Sequence, residues 1–155
     1  MARVHFRYDY SGLIASAVLY NNRLRRPGMV PFLVDTGAAK TMLSPDAQLD
    51  LGIDPERMGL RRYERTITTI AGNVIAHKLP DCLLCLLPED GREGPINLEV
   101  GELLLTEGIS RGRAGKGPGT RIGPIPSLLG RDVLEAHGLT LSVDFGKRAA
   151  YLETP

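Results

Sequence analysis

Asp35-Thr36-Gly37 is the run whose residue types and order could do chemistry. The aspartate supplies a carboxylate. The threonine hydroxyl both donates and accepts, so it can tie a loop down without adding charge. The glycine lacks a Cβ and lets backbone, or a second chain, approach the carboxylate closely. The tripeptide alone would turn up by chance in roughly one chain in thirty of this length, so its placement has to carry the argument. Phe32-Leu33-Val34 precedes it as an apolar strand end, and Ala38, Ala39 and Thr41 keep the following turn compact.

One carboxylate cannot both accept and donate a proton in a hydrolytic step. The nearest second copy of the motif is Asp144-Phe145-Gly146, where phenylalanine replaces the hydroxyl residue and a tight turn follows. The chain therefore supplies one acid, and a two-fold homodimer would supply the other. Two carboxylates about 4 Å apart repel by roughly 4 kcal/mol at an effective dielectric of about 20. Such a pair holds one shared proton at mildly acidic to neutral pH. Its ionised member can activate water, and its protonated member can hydrogen-bond a carbonyl. That mechanism calls for no metal, cofactor or covalent intermediate. Without a partner acid, Asp35 would be an ordinary turn or capping aspartate after a strand.

Other chemical signals are weaker. Gly108-Ile109-Ser110-Arg111-Gly112 fits the serine-hydrolase elbow pattern, but the glycine- and proline-rich residues after it cannot form the helix which that chemistry needs. Cys82 and Cys85 lie three apart in an apolar run; on a strand they face opposite sides, which favours structural thiols over shared metal ligation. His5, His77 and His137 have no mutual spacing that suggests a site. Gly115-Lys116 lacks the spacing and the hydroxyl residue of a phosphate-binding loop.

The elements that must position Asp35 are mostly strands. Val4, Phe6, Tyr8 and Tyr10 alternate with polar residues, Leu13–Tyr20 forms a second strand, and Met29–Val34 leads into the motif. Ser44 as N-cap, Pro45 at the first helical position and Gly52 at the end define a short helix. Arg61–Ile70 and Val74–Leu87 flank the turn Ala71-Gly72-Asn73 as a hairpin of about ten residues per arm. Ile96–Thr106 is a strand with Gly101 as a possible bulge. A second short helix spans about Arg131–His137 with Gly138 as its stop, and a hairpin around Gly146-Lys147 closes the chain. The expectation is an all-β fold with two short helices. The 108–126 stretch has six glycines and three prolines and no core pattern, so it is expected to be a mobile loop within a single domain spanning 1–155.

Hydrophobic residues make up 43% of the chain and the formal net charge is +1. That balance gives no reason to expect a nucleic-acid or membrane partner. No run approaches the roughly 18 apolar residues of a membrane span. Met1–Tyr10 carries His5, Arg7 and Asp9 where a secretory signal needs an unbroken apolar core. A reduced, cytoplasmic protein is expected.

Phe32-Leu33-Val34-Asp35-Thr36-Gly37-Ala38 followed by Thr41-Met42-Leu43-Ser44 resembles the active-site segment of retropepsins, the dimeric aspartic proteases of retroviruses and their cellular and bacterial relatives. Leu128-Leu129-Gly130-Arg131-Asp132-Val133-Leu134 resembles their second signature, which packs behind the catalytic loop. The resemblance implies a closed β-barrel-like retropepsin subunit and an aspartic endopeptidase acting on polypeptides. It also implies a homodimer with Asp35 of each copy at the axis. Thr36, Gly37 and Ala38 would form the active-site loop, with Thr36 hydrogen-bonding across the axis. Leu129, Gly130 and Arg131 would support that loop. Ile70, Ala71, Gly72 and Asn73 would form the tip of a flap spanning Thr66–Ala76. Two departures stand out. Viral members often place acids just after the motif to pair with the arginine, where this chain has Ala39 and Lys40, and the 108–126 insertion has no counterpart in the compact viral enzymes. The same departures suit a second reading, a catalytically silent dimerisation or peptide-binding module on the same fold.

Overall fold

The computed structural model describes residues 1–69, 72–107 and 125–155; the expected mobile loop at 108–126 falls almost wholly outside them. The chain begins with β1 (Arg3–Asp9), β2 (Gly12–Tyr20) and β3 (Gly28–Val34). Their inward residues alternate as the pattern requires: Val4 and Phe6, then Ala15, Ala17 and Leu19, then Val30, Phe32 and Val34. A two-residue strand β4 (Met42–Leu43) leads into helix α1 (Pro45–Asp50). The Ser44 hydroxyl accepts the Ala47 N–H at 3.1 Å, and Gly52 leaves the helix at φ +66°. The buried Gln48 side chain donates to the carbonyls of Leu43 and Thr106 at 3.0 and 2.8 Å, which moors α1 to the strands beside it.

After α1 come β5 (Ile67–Thr69), β6 (Gly72–Val74), β7 (Ala76–Leu86), β8 (Ile96–Thr106), β9 (Ser127–Leu129), α2 (Arg131–Ala136), β10 (Thr140–Asp144) and β11 (Ala149–Glu153). The large sheet runs β10-β11-β1-β2-β3-β9-β4-β8-β7, and a further pairing of β7 with β2 closes its last six strands into a barrel. Closure works because β2 is shared along its length. Its first residues pair with β1, while Ala17–Tyr20 pair with Leu83–Leu86 of β7. The fold is thus mostly β, a closed six-stranded barrel with two short helices.

Two features of the β7–β8 hairpin depart from the sequence expectation. The pairing keeps one register from Ala76↔Thr106 to Leu86↔Ile96, so Gly101 is not a bulge. Instead Asp81, opposite it, adopts φ +57°, and Asn21 Nδ2 braces the kink by donating to the Pro80 carbonyl at 2.8 Å. The inward face changes parity there, from Leu79 to Cys82 on β7 and from Leu103 to Val100 on β8. The hairpin of ten-residue arms does not form either. The β5–β6 ladder is three pairs long, because its register does not carry on to the Arg62↔His77 bridge, which is offset by two residues, and from Leu83 onward that edge of β7 belongs to β2. What remains for the ascending arm is the Arg62↔His77 bridge, with Tyr63 N–H donating to the Ala76 carbonyl and Lys78 N–H to that of Arg61.

One large core joins β1, β2, β3, β7, β8, β9, β11 and α2, and it includes Val34 and Leu129. Its fully buried large side chains are nearly all leucines, each contributing about 1.5–3 kcal/mol by leaving water. A second, smaller cluster of Met42, Ala76 and Leu104 is covered by Tyr63, Ile67 and Leu128. Among the described residues, no helix is long and apolar enough to cross a membrane.

Candidate active site

Asp35 stands where β3 leaves the core. Val34 is buried, Asp35 is half-buried, and Thr36 and Gly37 are exposed. The Asp35 N–H donates to the Leu129 carbonyl at 3.1 Å, continuing the parallel pairing of β3 with β9 by one residue. The Asp35 carbonyl accepts the Ala38 N–H at 3.1 Å, which closes a turn. Within that turn the Gly37 N–H donates to Asp35 Oδ1 at 2.8 Å. One carboxylate oxygen is thereby aimed by the backbone, and Oδ2 makes no hydrogen bond among the described residues. A Cβ on Gly37 would lie 3.1 Å from Oδ1, tighter than an ordinary contact.

The loop is braced from behind. Arg131 N–H donates to the Ala38 carbonyl at 2.9 Å. Gly130 passes so close to the loop that a Cβ there would sit 2.5 Å from the Lys40 carbonyl carbon. No side chain fits between these backbones, which explains glycine at this position. Thr41, fully buried, sits at the centre of the brace. Its hydroxyl accepts the Gly130 N–H at 3.0 Å and donates to Asp132 Oδ1 at 2.7 Å. The same Asp132 oxygen accepts the Val133 N–H at 2.9 Å, tying the start of α2 to the loop.

The structure brings Asp35, Thr36, Gly37 and Ala38 together with Leu129, Gly130 and Arg131. Arg131 contributes its backbone: its side chain is exposed and makes no hydrogen bond or ion pair among the described residues. The buried tie is instead Thr41–Asp132, ninety-one residues apart in sequence. Asp132 carried one readable signal, an acid in the first turn of a helix. Nothing local could reveal that Thr41 meets it.

Of the flap residues, Gly72 and Asn73 open β6, paired with Thr69 and Thr68; Ile70 and Ala71 lie outside the described residues. Gly72 has φ +125°, a conformation that L side chains rarely adopt. Tyr63 and Ile67 of the ascending arm pack on the cluster that also holds Met42 and Leu128. The root of the hairpin and the strands behind the Asp35 loop therefore share one apolar contact. Lys78 also ties this arm to β7 by donating to Glu64. That bond holds the Glu64 carboxyl below its usual range and the Lys78 ammonium above its own. Cys82 and Cys85 face opposite sides, one buried and one half-buried. Burial pushes the Cys82 thiol up to about 11.

A closed barrel whose Asp-Thr-Gly loop is braced by a Gly-Arg-Asp helix start has the architecture of the retropepsin-like fold. No family model matches the sequence, and no curated protein does. Among solved structures the chain is similar to a retropepsin-like aspartic protease from Rickettsia conorii, with 16% identity and a TM-score of 0.54 over 97% of this chain and 89% of that one. At that identity the likeness shows the fold, which is retropepsin-like.

Proposed function

We propose that this protein is an aspartic endopeptidase, active as a homodimer in which each copy contributes Asp35. The observation that carries the reading is the state of the Asp35 loop. One carboxylate oxygen is fixed by the Gly37 N–H at 2.8 Å, the loop is braced by Leu129, Gly130 and Thr41, and Thr36 and Gly37 are left exposed. A turn aspartate with no further role would not need so close a backbone brace. The exposed Thr36 hydroxyl makes no hydrogen bond among the described residues, which suits a donor and acceptor meant for a second copy.

In the dimer the two carboxylates share one proton. The ionised Asp35 takes a proton from water as the water attacks the scissile carbonyl carbon, and the protonated Asp35 of the partner copy hydrogen-bonds the carbonyl oxygen. Collapse of the tetrahedral intermediate returns a proton to the leaving amine. The fixed loop keeps both acids in place without reorganisation during reaction. The hairpin rooted on Met42 and Leu128 is the candidate flap, and an extended polypeptide with apolar side chains is the candidate substrate.

The test is cleavage of a denatured protein mixture from mildly acidic to neutral pH by wild type and Asp35→Asn. Loss of at least about a hundredfold in the variant is expected, since acid–base catalysis contributes on that order or more. If both proteins form the same dimer and neither cuts any protein in the mixture, the endopeptidase reading falls and a peptide-binding module takes its place.

A further inference from the structure

Three loops meet at the end of the barrel that carries Asp35. β2 and β3 pair Ile14 with Leu33; carried two residues further, that ladder sets Gly12 beside Asp35. β1 and β2 pair Asp9 with Gly12, so the turn Tyr10-Ser11 stands next to the Asp-Thr-Gly loop. Gly12 takes φ +106°, where L side chains are rare, and a Cβ there would meet the Leu33 side-chain methyl Cδ1 at 2.8 Å, so the turn lies against β3. The connection between β10 and β11, residues 145–148, joins the same rim. The Phe145 ring meets Tyr8 edge-on at 5.8 Å, and the Arg148 guanidinium lies 5.7 Å from the centre of the Tyr10 ring.

Tyr10 is 98% exposed and Phe145 73% exposed. Large side chains this open, gathered in one patch, mark a surface that something covers. The charges around them are mostly settled within the chain. Arg7 pairs with Asp9 at 2.7 Å and Lys147 with Asp144 at 3.8 Å, which leaves Arg148 on the Tyr10 ring. Two such rims can therefore meet without strong repulsion.

We infer that this aromatic rim is part of the surface on which a second copy of the chain docks. The inference rests on the dimer reading of the preceding subsection and adds a named surface to it. Two Asp35 carboxylates can share a proton only if the loops carrying them touch, and the rim is an exposed surface continuous with those loops among the described residues. Two rings from each copy, at about 150–250 Å² apiece, would hide about 600–1,000 Å². That is about half of the 1,200–2,000 Å² of a typical stable interface.

The test is sedimentation equilibrium across the micromolar range for wild type, Tyr10→Ser, Tyr10→Ser with Phe145→Ser, and the control Leu49→Ser. Leu49 is 79% exposed on α1, outside the rim. The double variant should raise the dimer dissociation constant by about tenfold or more, the scale expected of buried aromatic anchors. The single variant should give a smaller rise, and Leu49→Ser none. Unchanged circular dichroism and melting of the Tyr10→Ser chain would show that the fold is intact. If the double variant dimerises like wild type, the rim is overturned while the shared-carboxylate reading stands. If dimerisation is unchanged but KM for a peptide rises, the rim binds substrate and the inference is likewise overturned. A wild type that stays monomeric throughout overturns the dimer reading and takes the rim with it.

Discussion

Replacing Thr41 by valine removes one oxygen and keeps the shape, so it isolates the brace behind the Asp35 loop. In the native chain this hydroxyl accepts from Gly130 N–H at 3.0 Å and donates to Asp132 Oδ1 at 2.7 Å, at a position with no solvent exposure. Valine leaves the buried Gly130 N–H without its acceptor, which costs about 1–3 kcal/mol. Asp132 keeps its bond from Val133 N–H and is half-buried, so its share is smaller, about 1 kcal/mol. The sum is about 2–4 kcal/mol, a large part of the roughly 5–15 kcal/mol that holds a typical domain. At about 2–4 °C per kcal/mol, the melting temperature should fall by very roughly 10 °C. Thermal and urea denaturation measure this. Thr41→Ser, which retains the hydroxyl, should lose about 1 kcal/mol for the missing methyl group. Arg131→Ala should stay within about 0.5 kcal/mol, since the side chain is exposed and unpaired among the described residues. A Thr41→Val chain as stable as wild type, or an Arg131→Ala chain less stable than Thr41→Val, would refute the brace as described.

Gly130→Ala places a Cβ 2.5 Å from the Lys40 carbonyl carbon. It should cost at least about 2 kcal/mol and disturb the Asp35 loop, read as destabilisation in urea together with lost peptidase activity. Cys82 is buried, with its thiol pushed up to about 11, while Cys85 is half-buried. Iodoacetamide at mildly alkaline pH should therefore label Cys85 first, as peptide mapping would show. The folded chain holds the Cys82 proton that the unfolded chain releases above about pH 9. This contribution to stability is therefore full below that pH and is lost as pH rises towards 11, by about 1–3 kcal/mol. Denaturation midpoints compared between wild type and Cys82→Ala would expose the slope.

Local signals made much of the scaffold legible. The alternation of Val4 and Phe6, the Ser44-Pro45 start of α1, and the stops at Gly52 and Gly138 are each encoded within a few residues, and the structure places each as the pattern implies. The all-β class follows from them. What escaped depends on distant partners. Met42–Leu43 and Ser127–Leu129 are too short to show a period, and they are strands because β3, β9, β4 and β8 lie side by side. Residues 61–66 have a strand-like pattern, yet only the Arg62↔His77 bridge joins them to β7, out of register with β5–β6, and β2 takes the rest of that edge.

The site divides in the same way. Gly37 and Gly130 were readable because a Cβ at either would crowd the loop, and Asp35 because it is the carboxylate of the motif. The tie between Thr41 and Asp132 was not, since two ordinary polar residues gain their role only when α2 folds back on the loop. Arg131 is legible only through the resemblance to the viral enzymes, and in this chain its backbone N–H makes the bond to the loop.

A mixing titration tests most directly whether two chains share one active site. Wild type and Asp35→Asn are combined at a constant total concentration, allowed to exchange subunits, and assayed for cleavage. If both carboxylates are required, mixed dimers are silent and activity follows the square of the wild-type fraction, about a quarter at equal mixing. If activity instead falls in proportion, to about half, each chain acts with its own groups and the shared-dyad account is wrong.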